Sequence, residues 1–167
     1  MKPIPFAPSG TLLVMCILML ASCSDLGPGP GGPKDRSDQI TITQGMWGNV
    51  WFWEGNFMPS ASGNQSGKVT PVERDVWIFE TSENDSVVGA GGAFYRQILT
   101  TLRAKTRSNR TGFYQVALPP GKYSVFVTED SLYYANGNDS MGHIPSGVVV
   151  PNTVTKVQVD ITYKAAY

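Results

Sequence analysis

The chain has 167 residues, with 13 Lys and Arg balancing 13 Asp and Glu, a single histidine and two cysteines. That balance argues against a general nucleic-acid binder, which shows a marked basic excess. One histidine and two cysteines are too few for a zinc site, and neither a phosphate-binding loop nor a dinucleotide fingerprint occurs.

Residues 1–22 read as a targeting segment. Lys2 supplies a weakly charged start, and residues 11–20, TLLVMCILML, form an apolar run too short to span a bilayer as a lasting helix. The run ends in Leu20-Ala21-Ser22-Cys23, which resembles the bacterial lipobox. That resemblance implies acylation of Cys23 as the first mature residue; an ordinary secretory signal is the alternative. Cys16 would leave with the signal, so the mature chain has neither a disulfide nor a thiol nucleophile. What remains is long enough for one hydrophobic core.

Residues 23–43 read as the lipidated cysteine and a flexible tether. Leu26-Gly27-Pro28-Gly29-Pro30-Gly31-Gly32-Pro33 cannot form a helix or a central strand. Extended at roughly 3 Å per residue, about twenty residues hold a domain up to about 60 Å from a lipid surface.

Residues 44–167 read as the β-sandwich domain. The first strand, residues 46–54, points Val50 and Phe52 inward and Trp51 and Trp53 outward, with Gly48 marking a bulge or a close backbone approach. Residues 56–70 are a polar loop. The second strand, residues 72–81, places Val76 and Ile78 in the core and Trp77 and Phe79 on the other face. In residues 93–99 the four-residue spacing of Phe94, Ile98 and Leu102 fits a helical turn, and a strand extension is the alternative. Residues 101–107 alternate sharply, with Arg103, Lys105 and Arg107 on one face. Val157, Val159, Ile161 and Tyr163 point inward from the last strand. Short strands and frequent turn signals make this an all-β sandwich.

The organising stretch is residues 111–127, TGFYQVALPPGKYSVFV. Tyr114, Val116 and Leu118 alternate on one face; Tyr123, Val125 and Val127 answer across a Pro119-Pro120-Gly121 turn, with Ser124 between them on the opposite face. Asn109-Arg110-Thr111-Gly112, a strand, then Leu118-Pro119-Pro120-Gly121-Lys122-Tyr123 resembles the carboxypeptidase regulatory-like family. Ser108-Asn109 stands where Thr-Asp is usual there. The resemblance covers residues 46–163. It implies a transthyretin-like, seven-stranded Greek-key sandwich and an accessory module of no fixed activity.

No catalytic constellation emerges. Any Ser-His-Asp site must use His143, whose acidic and hydroxyl neighbours in sequence cluster in one loop. Glu54, Glu73, Glu80, Glu83 and Glu129 read as strand-end carboxylates, with a glycosidase pair among them as the alternative. Residues 136–140 lack the spacing of a calcium loop. Arg103, Lys105 and Arg107 read as a solvated strand face, with an anionic partner as the alternative. Asp85-Ser86-Val87, Asp130-Ser131-Leu132 and Asp139-Ser140-Met141 resemble a bacterial O-glycosylation sequon, which implies Ser86, Ser131 and Ser140 as acceptors.

The expectation is therefore a non-catalytic module without cofactor or metal, held by lipid at the bacterial outer membrane. Its partner is another envelope protein or, alternatively, a glycan. If the first two strands share a sheet, Trp51, Trp53, Trp77 and Phe79 form one aromatic face. That face either binds or lies under a lid from residues 87–99 or 56–70.

Overall fold

The computed structural model describes residues 34–59, 66–137, 143–144 and 146–167. Two sheets carry all the strands and pack face to face as a sandwich. Twelve strands are present among the described residues, more than the seven expected, because residues 68–71, 87–98 and 132–134 add four and the last expected strand is divided in two.

The first sheet is built around β1 (Gly45–Asn56), paired along both edges. One edge meets β7 (Phe113–Ala117) and then β2 (Lys68–Pro71), both antiparallel. They join at Val50, whose N–H donates to the Gly112 carbonyl at 2.9 Å and whose own carbonyl accepts from Val72 N at 3.2 Å. Gly112 has φ +79°, and a Cβ there would lie 2.7 Å from the Val50 carbonyl oxygen, so only glycine fits this junction. The other edge meets β11 (Val154–Lys156) and β12 (Val159–Ala166), both parallel to β1.

The second sheet is antiparallel throughout. Its lanes run β6 (Leu102–Arg107), β3 (Asp75–Glu80) and β8 (Gly121–Glu129); then β10 (Ser146–Val149) and β9 (Leu132–Tyr134) share the far edge of β8. Beyond β9 lie β5 (Phe94–Ile98) and β4 (Val87–Gly91). The helical turn considered for residues 93–99 is thus the strand β5. Bulges in the β4–β5 ladder break simple alternation, so Phe94 turns to the main core while Tyr95 and Ile98 reach the outer face.

Period-two burial holds where both sheets meet. Met46, Val50, Val76, Ile78, Tyr114, Leu118, Tyr123, Val125, Val127, Val159 and Ile161 form one core, with Phe52 packed against it. The inward residues of the organising stretch therefore fall where alternation puts them. Tyr163 departs from the pattern. The β1–β12 register slips between Phe52 and Glu54, and Tyr163 stands at the splayed end, 37% exposed, against Phe52, Phe94 and Tyr134.

Two turns explain the organising stretch. Asn109 Oδ1 accepts from Thr111 N, Thr111 Oγ1 and Phe113 N at 2.9, 2.7 and 3.1 Å, while Ser108 Oγ accepts from Arg74 N and donates to Val72 O. Ser108 and Asn109 supply the side-chain acceptors that close that corner. At the next corner Tyr123 Oη donates back to Pro119 O at 2.9 Å, and Gly121 leaves room for the phenol.

A second cluster lies on the outer face of the second sheet. Phe79, Tyr95, Ile98, Phe126, Ala135 and Ile144 are buried there, with Trp77, Val87 and Tyr133 alongside. Ser124 belongs to this side too. It is fully buried, its Oγ accepting from Ser82 N at 2.9 Å and donating to Ile144 O at 3.1 Å.

Candidate functional site

β1 and β3 lie in different sheets, so Trp51, Trp53, Trp77 and Phe79 do not form one face. The shared-sheet premise reads adjacent order in the chain as adjacent pairing. Here β3 pairs with β6 and β8, whereas β1 pairs with the short β2 just ahead of β3 and otherwise with strands from later in the chain.

Each pair has its own cover. Phe79 is 5% exposed, edge-on to Phe126 and Tyr133. Trp77 is half-buried: its Nε1–H donates to Thr128 Oγ1 at 2.8 Å, Tyr133 meets it edge-on, and Lys105 Nζ sits 4.1 Å over the ring. The lid over this pair combines Tyr95 and Ile98 of β5 with Ala135 and Ile144 after β9, so the expected residues 87–99 supply only part of it. Trp53 donates from Nε1 to Asp160 Oδ1 at 3.0 Å and packs on Phe57 from the 56–70 loop.

Trp51 is buried although it faces away from the main core, as are Trp47 and Asn49 at neighbouring outward positions of β1. Their cover is the end of the segment read as tether. Asp35 pairs with Lys156 beside β1 on one flank, with 2.6 Å between Oδ2 and Nζ. Gln39 accepts from Asn109 Nδ2 at 3.1 Å and donates to Thr111 Oγ1 at 3.4 Å on the other flank. Between those two anchors the chain must cross the outer face of β1. Thr41 and Gln115 then exchange two bonds: Thr41 N donates to Gln115 Oε1 at 2.9 Å, and Gln115 Nε2 donates to Thr41 Oγ1 at 2.7 Å. Residues 34–43 are thus a strap seated on the domain. Ile40-Thr41-Ile42-Thr43, a β-prone alternation directly after the Gly/Pro run, is the signal that could have found it.

Two donors are unmet, one on the strap and one on β1: Arg36 Nε and Asn49 Nδ2 are buried without a hydrogen-bond partner. An open cleft of about 520 Å³ runs along the strap's end, lined by Thr41, Gln44, Leu118 and Pro119 among others. A second hollow, about 300 Å³, lies between Trp77, Arg96, Thr128, Ser131, Leu132 and Tyr133.

The remaining sequence candidates disperse. Ser131 is exposed at the tip of the β8–β9 hairpin, where Asp130 and Ser131 have φ 46° and 68°, as a two-residue turn of this hand requires. Ser86 is half-buried with its hydroxyl engaged, donating to Glu83 O at 2.8 Å and accepting from Glu83 N at 2.7 Å. Ser140 and Cys23 lie outside the described residues. His143 is buried, with Nδ1 3.3 Å from Lys122 Nζ and Nε2 3.4 Å from Glu83 Oε1. Among the described residues no group of three His, Cys, Asp or Glu could hold a metal ion. The basic stripe is paired internally: Arg103 with Glu80, and both Lys105 and Arg107 with Asp75.

Among the described residues the one buried carboxylate is Glu129, 4% exposed, paired with Arg74 Nε and accepting from Tyr163 Oη at 3.0 Å. Burial first, and the Glu129 carboxylate second, raise the Tyr163 pKa from 10.0 to about 12. A raised pKa means that the fold favours the neutral phenol. Its contribution is complete below the unfolded value and fades as pH rises through the folded one. The melting temperature should therefore fall between pH 10 and 12, and Tyr163→Phe should flatten part of that fall. Tyr95 and Tyr114, also raised by burial, sustain the remainder.

No family model, no curated protein and no solved structure matches this chain. What its fold defines is an all-β sandwich of two sheets.

Proposed function

We propose that the chain is a non-catalytic binding module of the bacterial cell envelope, held at the outer membrane by acyl chains on Cys23. It belongs to the carboxypeptidase regulatory-like, transthyretin-like group that the 109–123 motif resembles. The observation that carries the binding reading is the strap. Side chains in and beside the first sheet hold a segment with one 3-10 turn, Ser37–Gln39, across an aromatic face through paired, directional hydrogen bonds. Such a face is built to take a chain, and its fitting partner is another envelope protein. A second reading, glycan binding, rests on the hollow between Trp77, Tyr133 and Arg96, where flat rings and donors meet. Ser131, exposed at its rim, and Ser86 and Ser140 are the proposed sugar acceptors.

Cross-linking in intact cells separates the two readings. A stoichiometric protein partner supports the first; its absence, together with saturable glycan-array binding lost in Trp77→Ala, supports the second. Intact-mass measurement of native protein should show acyl mass that Cys23→Ala removes, and sugar increments that serine-to-alanine changes remove. Acyl labelling that survives Cys23→Ala would overturn the anchor.

A further inference from the structure

We infer that the outer face of the first sheet is a peptide-binding surface that its own strap occupies in cis. The partner segment it fits carries a carboxylate, a side-chain amide four residues later at the end of one tight 3-10 turn, and a hydroxyl two residues after that. The inference rests on the binding-module reading above and names that module's ligand.

The seated strap displays this chemistry. Its carboxylate is Asp35 on Lys156, its amide is Gln39 between Asn109 and Thr111, and its hydroxyl is Thr41 on Gln115. Gln115 reads both the backbone N–H and the hydroxyl of one residue, which fixes a single register just past the turn at Ser37–Gln39. All of these contacts come from side chains of the domain, so the surface persists when the strap leaves. No residue of the strap is itself buried; it covers Trp47, Asn49 and Trp51 without entering a core. It is therefore held by solvent-edge bonds, each of modest net strength.

The strap is also an incomplete ligand. Docked, it leaves Arg36 Nε and Asn49 Nδ2 buried with no acceptor, and an unmet buried donor costs more than an ordinary hydrogen bond gains. A partner segment that sets a carbonyl or carboxylate over Asn49 removes one of those penalties. It thereby gains an advantage over the strap, which otherwise wins by proximity. The cleft beside residues 41–44 leaves space for a segment bulkier than the strap's own end.

The test uses the full chain with Asp35→Gly, Gln39→Gly and Thr41→Gly, which removes the strap's side chains and leaves the sheet untouched. The probe is a fluorescent peptide with the sequence of residues 34–44. The expected result is saturable binding to this variant. Binding to the unaltered chain should be weaker by about a hundredfold or more, because the cis segment holds the site at a millimolar effective concentration. Adding Gln115→Ala to the variant should weaken binding about tenfold, as the loss of two hydrogen bonds implies.

Two results overturn the proposal. One is a variant whose tryptophans become open to iodide quenching yet which binds no peptide. The other is a variant whose tryptophans stay as protected as before, so that the strap is not the cover. If the triple variant does not fold, Gln115→Ala in the unaltered chain replaces it. That change should loosen the strap and raise iodide quenching at least twofold, and unchanged quenching overturns the proposal. Peptide binding does not depend on acylation, so it and the anchor stand or fall separately.

Discussion

Gly48→Val should unfold the domain or leave it barely stable. A Cβ at Gly48 would stand 1.9 Å from the Val157 carbonyl oxygen and 3.0 Å from Tyr114 Cε1. The nearer obstacle is backbone, which cannot swing aside as a flexible side chain does. Tyr114 pairs in register with Gly48 and is buried, and its Oη donates to Val157 O at 2.5 Å. The phenol reaches across the glycine to the gap between β11 and β12. One glycine thus lets a ring from β7, on one edge of β1, lock the chain at Val157 on the other edge. Overpacking normally costs about 1–3 kcal/mol; here the clash also breaks a buried hydrogen bond, so a loss of about 3 kcal/mol or more is expected. Urea denaturation of Gly48→Ala and Gly48→Val measures it. A midpoint within error of the parent for the valine variant would refute the interlock.

Tyr123→Ala should cost about 3–5 kcal/mol, the range for deleting a large buried side chain. The ring is 4% exposed, and its hydroxyl ties the Pro119-Pro120-Gly121 corner. Val125→Ala belongs with it. The neighbouring Ser124→Ala is the informative control. Simple alternation puts Ser124 on a solvent face, where alanine costs little. The structure puts it in the second cluster, where its loss strands the buried Ser82 N–H and the Ile144 carbonyl. A cost of about 1–3 kcal/mol is therefore expected. A neutral Ser124→Ala beside a damaging Tyr123→Ala would mean that the outer cluster does not hold its cover in solution.

Ser124 shows where reading the chain succeeds and where it stops. Alternation assigns residues to one of two faces, and it assigned the inner faces of β1, β3, β7 and β8 correctly because a shared core enforces a period of two. It does not say whether the second face meets water. Here the segments after β9 and before β1 cover both outer faces, and a loop's resting place is not written in any local period. The same gap explains the aromatic quartet: Trp51 and Phe79 face outward as expected, but on opposite sides of the sandwich. Pairing across sheets depends on long-range closure, which local spacing does not encode. The turns were legible because their chemistry is local. Gly112, Asn109 and the Pro119-Pro120-Gly121 run each act within a few residues of themselves. The strap was passed over because its glycine-proline approach dominated the composition of the whole segment. Asn49 and Glu129 were invisible as special residues, since nothing in sequence marks an amide or a carboxylate that a later segment will bury.

The central position of β1 has a consequence for how the molecule is made. The first strand to emerge during synthesis finds an early partner only at residues 68–71; its other ladders wait for residues 113–117 and 154–166, so they close only when nearly the whole chain is present. Contacts this distant in sequence form slowly, because a long loop must be ordered before any pairing rewards it. The second sheet can pair largely without residues 154–166, but one edge of β1 stays open until those last strands are made. Until then that edge, with Trp47, Trp51 and Trp53 along the strand, is free to pair wrongly, and closing it is the step that commits the sandwich.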